Sequence, residues 1–145
     1  YTDEAGVVHA LDEWRAGESW EQGPVILALP EVARSGQGSG YNVVIHECAH
    51  QLDQLGPDAP GLPPLHRDMS RSAWSETFTR AFEELHARIG RHARTPIDPY
   101  AAESPAEFFA VASEVFFETP RRLHSLWPAV YRQLAQFYRQ NPGGL

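Results

Sequence analysis

Residues 42–53 of the chain read NVVIHECAHQLD and contain an H-E-x-x-H motif at positions 46–50. Apolar residues recur with a helical period from position 43 to about position 55, so the motif is predicted to lie near the start of an amphipathic helix. Side chains four residues apart stand one turn apart on a helix, with about 5–6 Å between their Cβ atoms. His46 and His50 are therefore predicted to bind one metal ion, with Glu47 beside them.

Two imidazoles at this spacing suit zinc, whose tetrahedral sites take nitrogen ligands at roughly 2.0–2.1 Å. Glu47 can take a proton from water at such an ion, which is the role of the acid in H-E-x-x-H peptidases. Cys48 is predicted to point away from the paired histidines and to be a small core residue. It would continue an apolar stripe that contains Val44, Leu52 and Leu55.

A catalytic zinc site also needs a third protein ligand and an open fourth position. The sequence after His50 lacks the x-x-G-x-x-H extension that supplies a third histidine in metzincins. The remaining histidines, at positions 9, 66, 86, 92 and 124, and several acids are candidates. A carboxylate on a later helix is the natural choice, and Glu107 and Glu114 share one face of a helix predicted to begin at Ser104-Pro105. Periodicity alone does not choose between these two acids.

The rest of the chain predicts an α+β fold, mostly helical, with a small β-sheet packed on the helix of the motif. A strand is predicted over Val25–Leu29, which Gly23-Pro24 and Pro30 bound, and a weaker strand over residues 7–11. Helix-breaking glycine and proline residues divide the rest of the chain into three predicted helices. The first covers Asp68–Ile89 with Gly90 as its C-cap, the second runs from Pro105 to about Glu118, and the third runs from Pro120 to a frayed end at residues 141–144.

The composition fits one domain of 145 residues and excludes several classes of function. Nineteen acidic residues against 12 basic ones give a net charge of −7, which disfavours nucleic acid as a partner. No apolar run reaches the roughly 20 residues that cross a bilayer. The single cysteine forbids an internal disulfide and predicts a cytoplasmic location. The chain begins at Tyr1 rather than Met, so it is expected to be a fragment or a processed form, and any signal peptide would lie upstream.

Residues 42–53, together with YAA at 100–102, SPAEFFAV at 104–111 and SEVFF at 113–117, closely resemble the Mlc titration factor A family. These proteins are bacterial zinc peptidases related to the catalytic domain of anthrax lethal factor. GESW at 17–20 and GPVIL at 23–27 are similar to the family's lead-in, so the resemblance covers nearly the whole chain. It implies a zincin-like metallopeptidase domain of the gluzincin type over residues 1–145, without a further N-terminal region that full-length members carry.

The resemblance also implies site residues and an activity. His46, His50 and Glu107 would hold one Zn²⁺, Glu47 would be the catalytic base, and Tyr100 would stabilise the oxyanion. The implied reaction is hydrolysis of peptide bonds in a peptide or protein, by aminopeptidase-like or limited endopeptidase action. Cys48 departs from the bulky apolar residue usual in the family. Since the family is named for binding the glucose repressor Mlc, the alternative is a regulatory binding protein that sequesters a transcriptional repressor.

Two further sets of residues are predicted to support the site. Asp53 and Glu114 are candidates to accept hydrogen bonds from the outer ring nitrogens of the ligating histidines, which usually need such an acceptor. Residues Val25, Ile26, Leu27 and Ala28 are candidates to bind substrate, because related zincins pair an edge strand with an extended peptide. An ordinary buried strand is the alternative for that segment.

Overall fold

The computed structural model describes residues 17–19, 25–27 and 29–145, and their secondary structure is mostly helical. None of the described helices is long and apolar enough to cross a membrane. The elements in chain order are β1 (Gly17–Ser19), β2 (Val25–Leu27), α1 (Leu29–Arg34), α2 (Val43–Gln54), α3 (Arg71–Gly90), a 3₁₀ helix (Pro99–Ala102), α4 (Pro105–Glu118), α5 (Pro120–Leu126) and α6 (Pro128–Tyr138).

The two short strands pair antiparallel, with Gly17 opposite Leu27, and both contact α2. β2 is shorter than predicted, because Leu29 already belongs to α1. Pro30 lies in the first turn of α1, where its missing N–H costs no hydrogen bond, so it helps to begin a helix. The weaker strand predicted over residues 7–11 lies outside the described residues.

α2 occupies the predicted range, but the face it turns inward is not the predicted one. Asn42 caps the helix, since its side chain accepts a hydrogen bond from the Ile45 N–H at 3.1 Å. The predicted apolar stripe is wrong as a core face, because most of its residues are exposed: Val44, Cys48 and Leu55. The buried residues of α2 are instead Val43, Glu47, Ala49 and Asp53. Asp53 can lie on this face because the Gly61 N–H, in the loop after α2, donates to its carboxylate, and apolar periodicity does not register such a bond.

Helices α3, α4 and α6 contact one another around the hydrophobic core. Ser104 caps α4 as predicted, accepting a hydrogen bond from the Glu107 N–H at 3.2 Å. Every residue from Phe108 to Phe116 is buried, so other elements surround α4 along most of its length. α3 begins three residues later than predicted, because Ser70 is its N-cap. Gly90 is the last residue of α3 and not its cap, which is Arg91.

The last predicted helix divides at Trp127 into α5 and α6. A proline disfavours helical geometry at the residue before it, and Trp127, which precedes Pro128, is extended with φ −138° and ψ 81°. The end of the chain is a bonded turn rather than a frayed segment. Tyr131 donates its hydroxyl to the Asn141 side-chain oxygen at 2.5 Å, and the Asn141 amide donates to the Leu145 carbonyl at 2.6 Å.

The packing of Tyr138 predicts a loss of stability in alkali. Burial raises its pKa to about 12, although a hydrogen bond with Ser113 lowers it in part. The folded protein therefore keeps this proton above pH 10, where the unfolded chain loses it. We expect the free energy of unfolding to fall by up to about 2–3 kcal/mol between pH 10 and pH 12. Guanidinium unfolding at several pH values measures this. Tyr138→Phe should make the fall smaller without abolishing it, because burial and the neighbouring Glu31 also raise the pKa of Tyr41. Parallel losses in the variant and the wild type would contradict the assignment.

Candidate metal centre

Helix α2 places the two histidines of the motif one above the other. The ring centroids of His46 and His50 are 4.8 Å apart, and the rings meet edge to face. Their Nε2 atoms lie 3.1 Å apart. The predicted convergence of both imidazoles on one point is therefore present in the structure.

Glu107, in the first turn of α4, completes a three-residue cluster with these histidines. Its Oε2 lies 2.9 Å from Nε2 of His46, and its Oε1 lies 3.1 Å from Nε2 of His50. Periodicity left the third ligand open between Glu107 and Glu114, and it is Glu107 that faces both Nε2 atoms. Among the described residues, these three side chains form a group that could hold a metal ion. Each offers one ligand atom, and the three ligand atoms all lie within 4.8 Å of one another.

The geometry of this cluster fits a small divalent cation. Ligands at about 2.0–2.1 Å from a tetrahedral zinc ion are roughly 3.4 Å from one another. The donor separations of 2.9–3.1 Å are only a few tenths of an ångström shorter. Two imidazoles and one carboxylate also form the donor set of zinc sites that keep an open fourth position.

The electrostatics of the cluster favour positive charge. Burial alone would lower the pKa of His46, but its hydrogen bonds with Glu107 and Glu114 raise that pKa to about 10. Burial alone would raise the pKa of Glu107, but its hydrogen bonds with His46 and His50 lower it to about 2. Two carboxylates thus stabilise a cation at this place, which is what a metal site requires.

Glu114 lies on the outer side of His46, two turns beyond Glu107 on α4. Its Oε1 contacts Nδ1 of His46, and its Oε2 accepts a hydrogen bond from the Asn42 N–H at 2.9 Å. The carboxylate is buried. It therefore contacts both the His46 ring and the N-cap residue of α2.

Asp53 is buried near the end of α2 but bonds to a loop. Both of its carboxylate oxygens accept from the Gly61 N–H, at 2.8 and 2.9 Å. Burial raises its pKa, and the bond from Gly61 opposes that rise in part. Sequence reasoning missed Gly61, whose only signal was its place in the proline-rich segment after the motif.

The other predicted site residues lie around the cluster. Glu47 is 4% exposed and follows His46 on α2. Tyr100 is 48% exposed, and its ring centroid is 6.5 Å from that of His46. It belongs to the 3₁₀ helix, where its N–H donates to the Asp98 carboxylate at 3.0 Å. Cys48 is exposed and is not part of the cluster.

Comparison with known proteins decides the family. The family model of glucose-regulated metallo-peptidases M90 matches residues 1–139. The chain belongs to this family. Three relatives of the chain carry the name Mlc titration factor A: those of Yersinia enterocolitica and Serratia proteamaculans are 42% identical to this chain, and that of Yersinia pestis is 40% identical, each over 98% of the chain.

The matches to the M90 family model and to these relatives test predictions made from the sequence. The resemblance to the Mlc titration factor A family is confirmed, and the M90 name indicates a metallopeptidase-like protein with a metal site. The chain spans about half the length of these relatives, at 53–55% of each.

Proposed function

We propose that this chain is a zinc-dependent metallopeptidase domain with a zincin-like fold, one that hydrolyses peptide bonds. The observation that carries the proposal is the meeting of His46, His50 and Glu107, with the buried acid Glu47 beside them on α2. The M90 family name supports it. We take residues 1–145 as one catalytic domain, acting in the cytoplasm.

In this proposal each residue of the site has a distinct part. His46, His50 and Glu107 hold the zinc ion, which when bound supplies the Lewis acidity that polarises the scissile carbonyl and acidifies a water molecule. Glu47 takes the proton of that water and later passes it to the leaving amine. Its place directly after His46 on α2 supports this role, because a general base must lie within reach of the proton that it takes.

Tyr100 is proposed to donate its phenol hydroxyl to the oxygen that becomes negative as the peptide bond is attacked. Its support is its place beside His46, with much of its side chain exposed at the surface where a substrate can reach it. Tyr100→Phe keeps the ring and removes only the hydroxyl. An unchanged kcat in that variant would exclude the role.

Glu114 is proposed to orient the His46 ring through its contact with Nδ1.

Strand β2 is proposed to pair with an extended substrate. The support for β2 is its contact with α2 and its pairing, among the described strands, with β1 on one side. Val25, Ile26 and Leu27 belong to β2, whereas Ala28 lies outside the described residues. A substrate-analogue complex in which the peptide runs along another element would exclude this pairing.

Removal of the metal tests the function directly. We expect the purified chain to contain one zinc ion, a strong chelator to abolish cleavage of fluorogenic peptides, and added Zn²⁺ to restore it. Elemental analysis and the cleavage assay measure these effects, and circular dichroism confirms that the chelated chain stays folded. Cleavage that continues after complete loss of metal would overturn the proposal.

A second candidate function rests on the name of the relatives, Mlc titration factor A. Under it, the chain sequesters a transcriptional repressor, and the metal site is secondary. Calorimetric titration of the chain with the Mlc repressor distinguishes the two functions. Tight binding by a chain that holds zinc but cleaves no peptide would favour the regulatory function over the peptidase.

A further inference from the structure

We infer that Asp53 and Gly61 are positioning residues, which set the distance between α2 and the start of α4 and so hold Glu107 against the two histidines. This inference rests on the proposed metal site, and deepens it. It assigns Asp53 a part other than the one expected from sequence, where Asp53 was a candidate acceptor for a ligating histidine.

Gly61 joins two of the helices through its backbone. Its N–H donates to both carboxylate oxygens of Asp53 on α2, at 2.8 and 2.9 Å. Its carbonyl accepts a hydrogen bond from the indole N–H of Trp74 on α3, at 3.0 Å. Asp53 and Trp74 are both buried, so these bonds are partly shielded from competing water.

Gly61 also lies directly against the first residue of α4. A Cβ atom at this position would be 2.9 Å from both Cβ and the carbonyl oxygen of Pro105. Two of the three nearest atoms belong to the backbone of Pro105, so no side-chain rotation can relieve the collision. The φ of Gly61 is +86°, which residues with a Cβ rarely adopt.

The loop that carries Gly61 has little room to move away. A Cβ at Gly56 would lie 2.2 Å from the Leu62 carbonyl oxygen, which shows how closely the two ends of the loop approach. The Gly56 N–H also donates to the Asp53 carbonyl at 2.9 Å, and the Leu62 N–H donates to the Ala59 carbonyl at 3.0 Å. A displacement at Gly61 is therefore passed to Pro105.

The metal ligands lie immediately beside these contacts on both helices. His50 is one turn before Asp53 on α2, and Glu107 is two residues after Pro105 on α4. Donor atoms of Glu107 and His50 are 3.1 Å apart, close to the spacing that a tetrahedral ion needs. Moving the 2.9 Å contact at Gly61 out to an ordinary contact of 3.4–4 Å would displace Pro105, and Glu107 with it, by roughly 0.5–1.1 Å. This displacement is larger than the few tenths of an ångström that separate the present donor spacings from the ideal ones, so the contact at Gly61 controls the fit of the metal.

The test is Gly61→Ala, with Gly38→Ala as its matched control. Gly38 has a φ of +71°, but nothing lies within 4 Å of its added Cβ, so the control carries the backbone strain without the collision. We expect Gly61→Ala to bind Zn²⁺ and Co²⁺ about 10–100-fold more weakly than Gly38→Ala, the range typical for residues that support ligands. The visible spectrum of bound Co²⁺ should change only in Gly61→Ala. Chelator competition gives the affinities, and urea unfolding of both metal-free variants gives their stabilities.

If Gly61→Ala does not fold, variants at Asp53 test the positioning role instead. Asp53→Ala should weaken metal binding, whereas Asp53→Asn keeps an acceptor oxygen for the Gly61 N–H and should retain most of the affinity. Equal losses in the two variants would mean that the charge of Asp53, and not its bond to Gly61, matters, which would overturn the inference. Wild-type affinity for the metal in Asp53→Ala, or in a Gly61→Ala variant that folds, would also overturn the inference. A wild-type chain that binds neither metal would overturn the proposed function itself.

Discussion

Glu47→Gln is expected to slow peptide hydrolysis by about 10²–10⁴-fold while zinc stays bound, because this variant removes a general base and no metal ligand. Glutamine has nearly the same shape as glutamate, so it fits the same buried position on α2. Its amide cannot take a proton from water. Steady-state cleavage of a fluorogenic peptide and the zinc content of the same preparation measure both parts of the prediction.

The matched control is Glu103→Gln, which makes the same chemical change at an exposed acid just before α4. It should leave the rate and the zinc content unchanged. If Glu47→Gln holds zinc and cleaves peptides as fast as the wild type, the proposed mechanism is wrong. If it cleaves slowly because it has lost its zinc, Glu47 supports the metal site instead of acting as the base.

Glu107→Ala is expected to weaken zinc binding by more than about 100-fold, since even residues that only support ligands typically account for 10–100-fold. Glu107 contacts both histidines, and alanine leaves no donor atom in its place. Competition with a chelating indicator measures the affinity. Peptide cleavage at fixed zinc concentration should fall in parallel, because metal occupancy limits it.

Two further variants make this result specific. Glu103→Ala removes an exposed carboxylate four residues earlier and should bind zinc as the wild type does. Glu114→Gln should cause an intermediate loss, because Glu114 contacts the outer nitrogen of His46 and not its Nε2. An affinity of Glu107→Ala within a few fold of the wild type would place the third ligand elsewhere.

Local signals predicted the helices whose ends are set by nearby residues. Ser104, Pro105 and Glu107 predicted the start of α4, since a cap and the bond it accepts lie within four residues of each other. The division between α5 and α6 was equally local, because Pro128 already disfavours a helical Trp127. The aromatic period of the last segment concealed that signal.

The orientation of α2 could not be predicted by the same means. Apolar periodicity selected the face with Val44 and Cys48, which is exposed. The true inward face carries Glu47 and Asp53, and the buried carboxylate of Asp53 accepts its hydrogen bonds from Gly61, which lies outside the helix. A rule that sums hydrophobicity along one helix cannot register a hydrogen bond supplied by another element.

By itself the sequence determined the pairing of His46 with His50, because four residues make one turn of any helix and need no tertiary contact. It also determined the family, through motifs that extend over most of the chain. The family resemblance implied Glu107 as a ligand, but only the tertiary structure brought its carboxylate to both Nε2 atoms and that of Glu114 to the outer nitrogen of His46. Only the tertiary structure decided that Asp53 bonds to Gly61. The reason is that the packing of α4 and of the loop against α2 sets these distances, and no spacing within one segment encodes them.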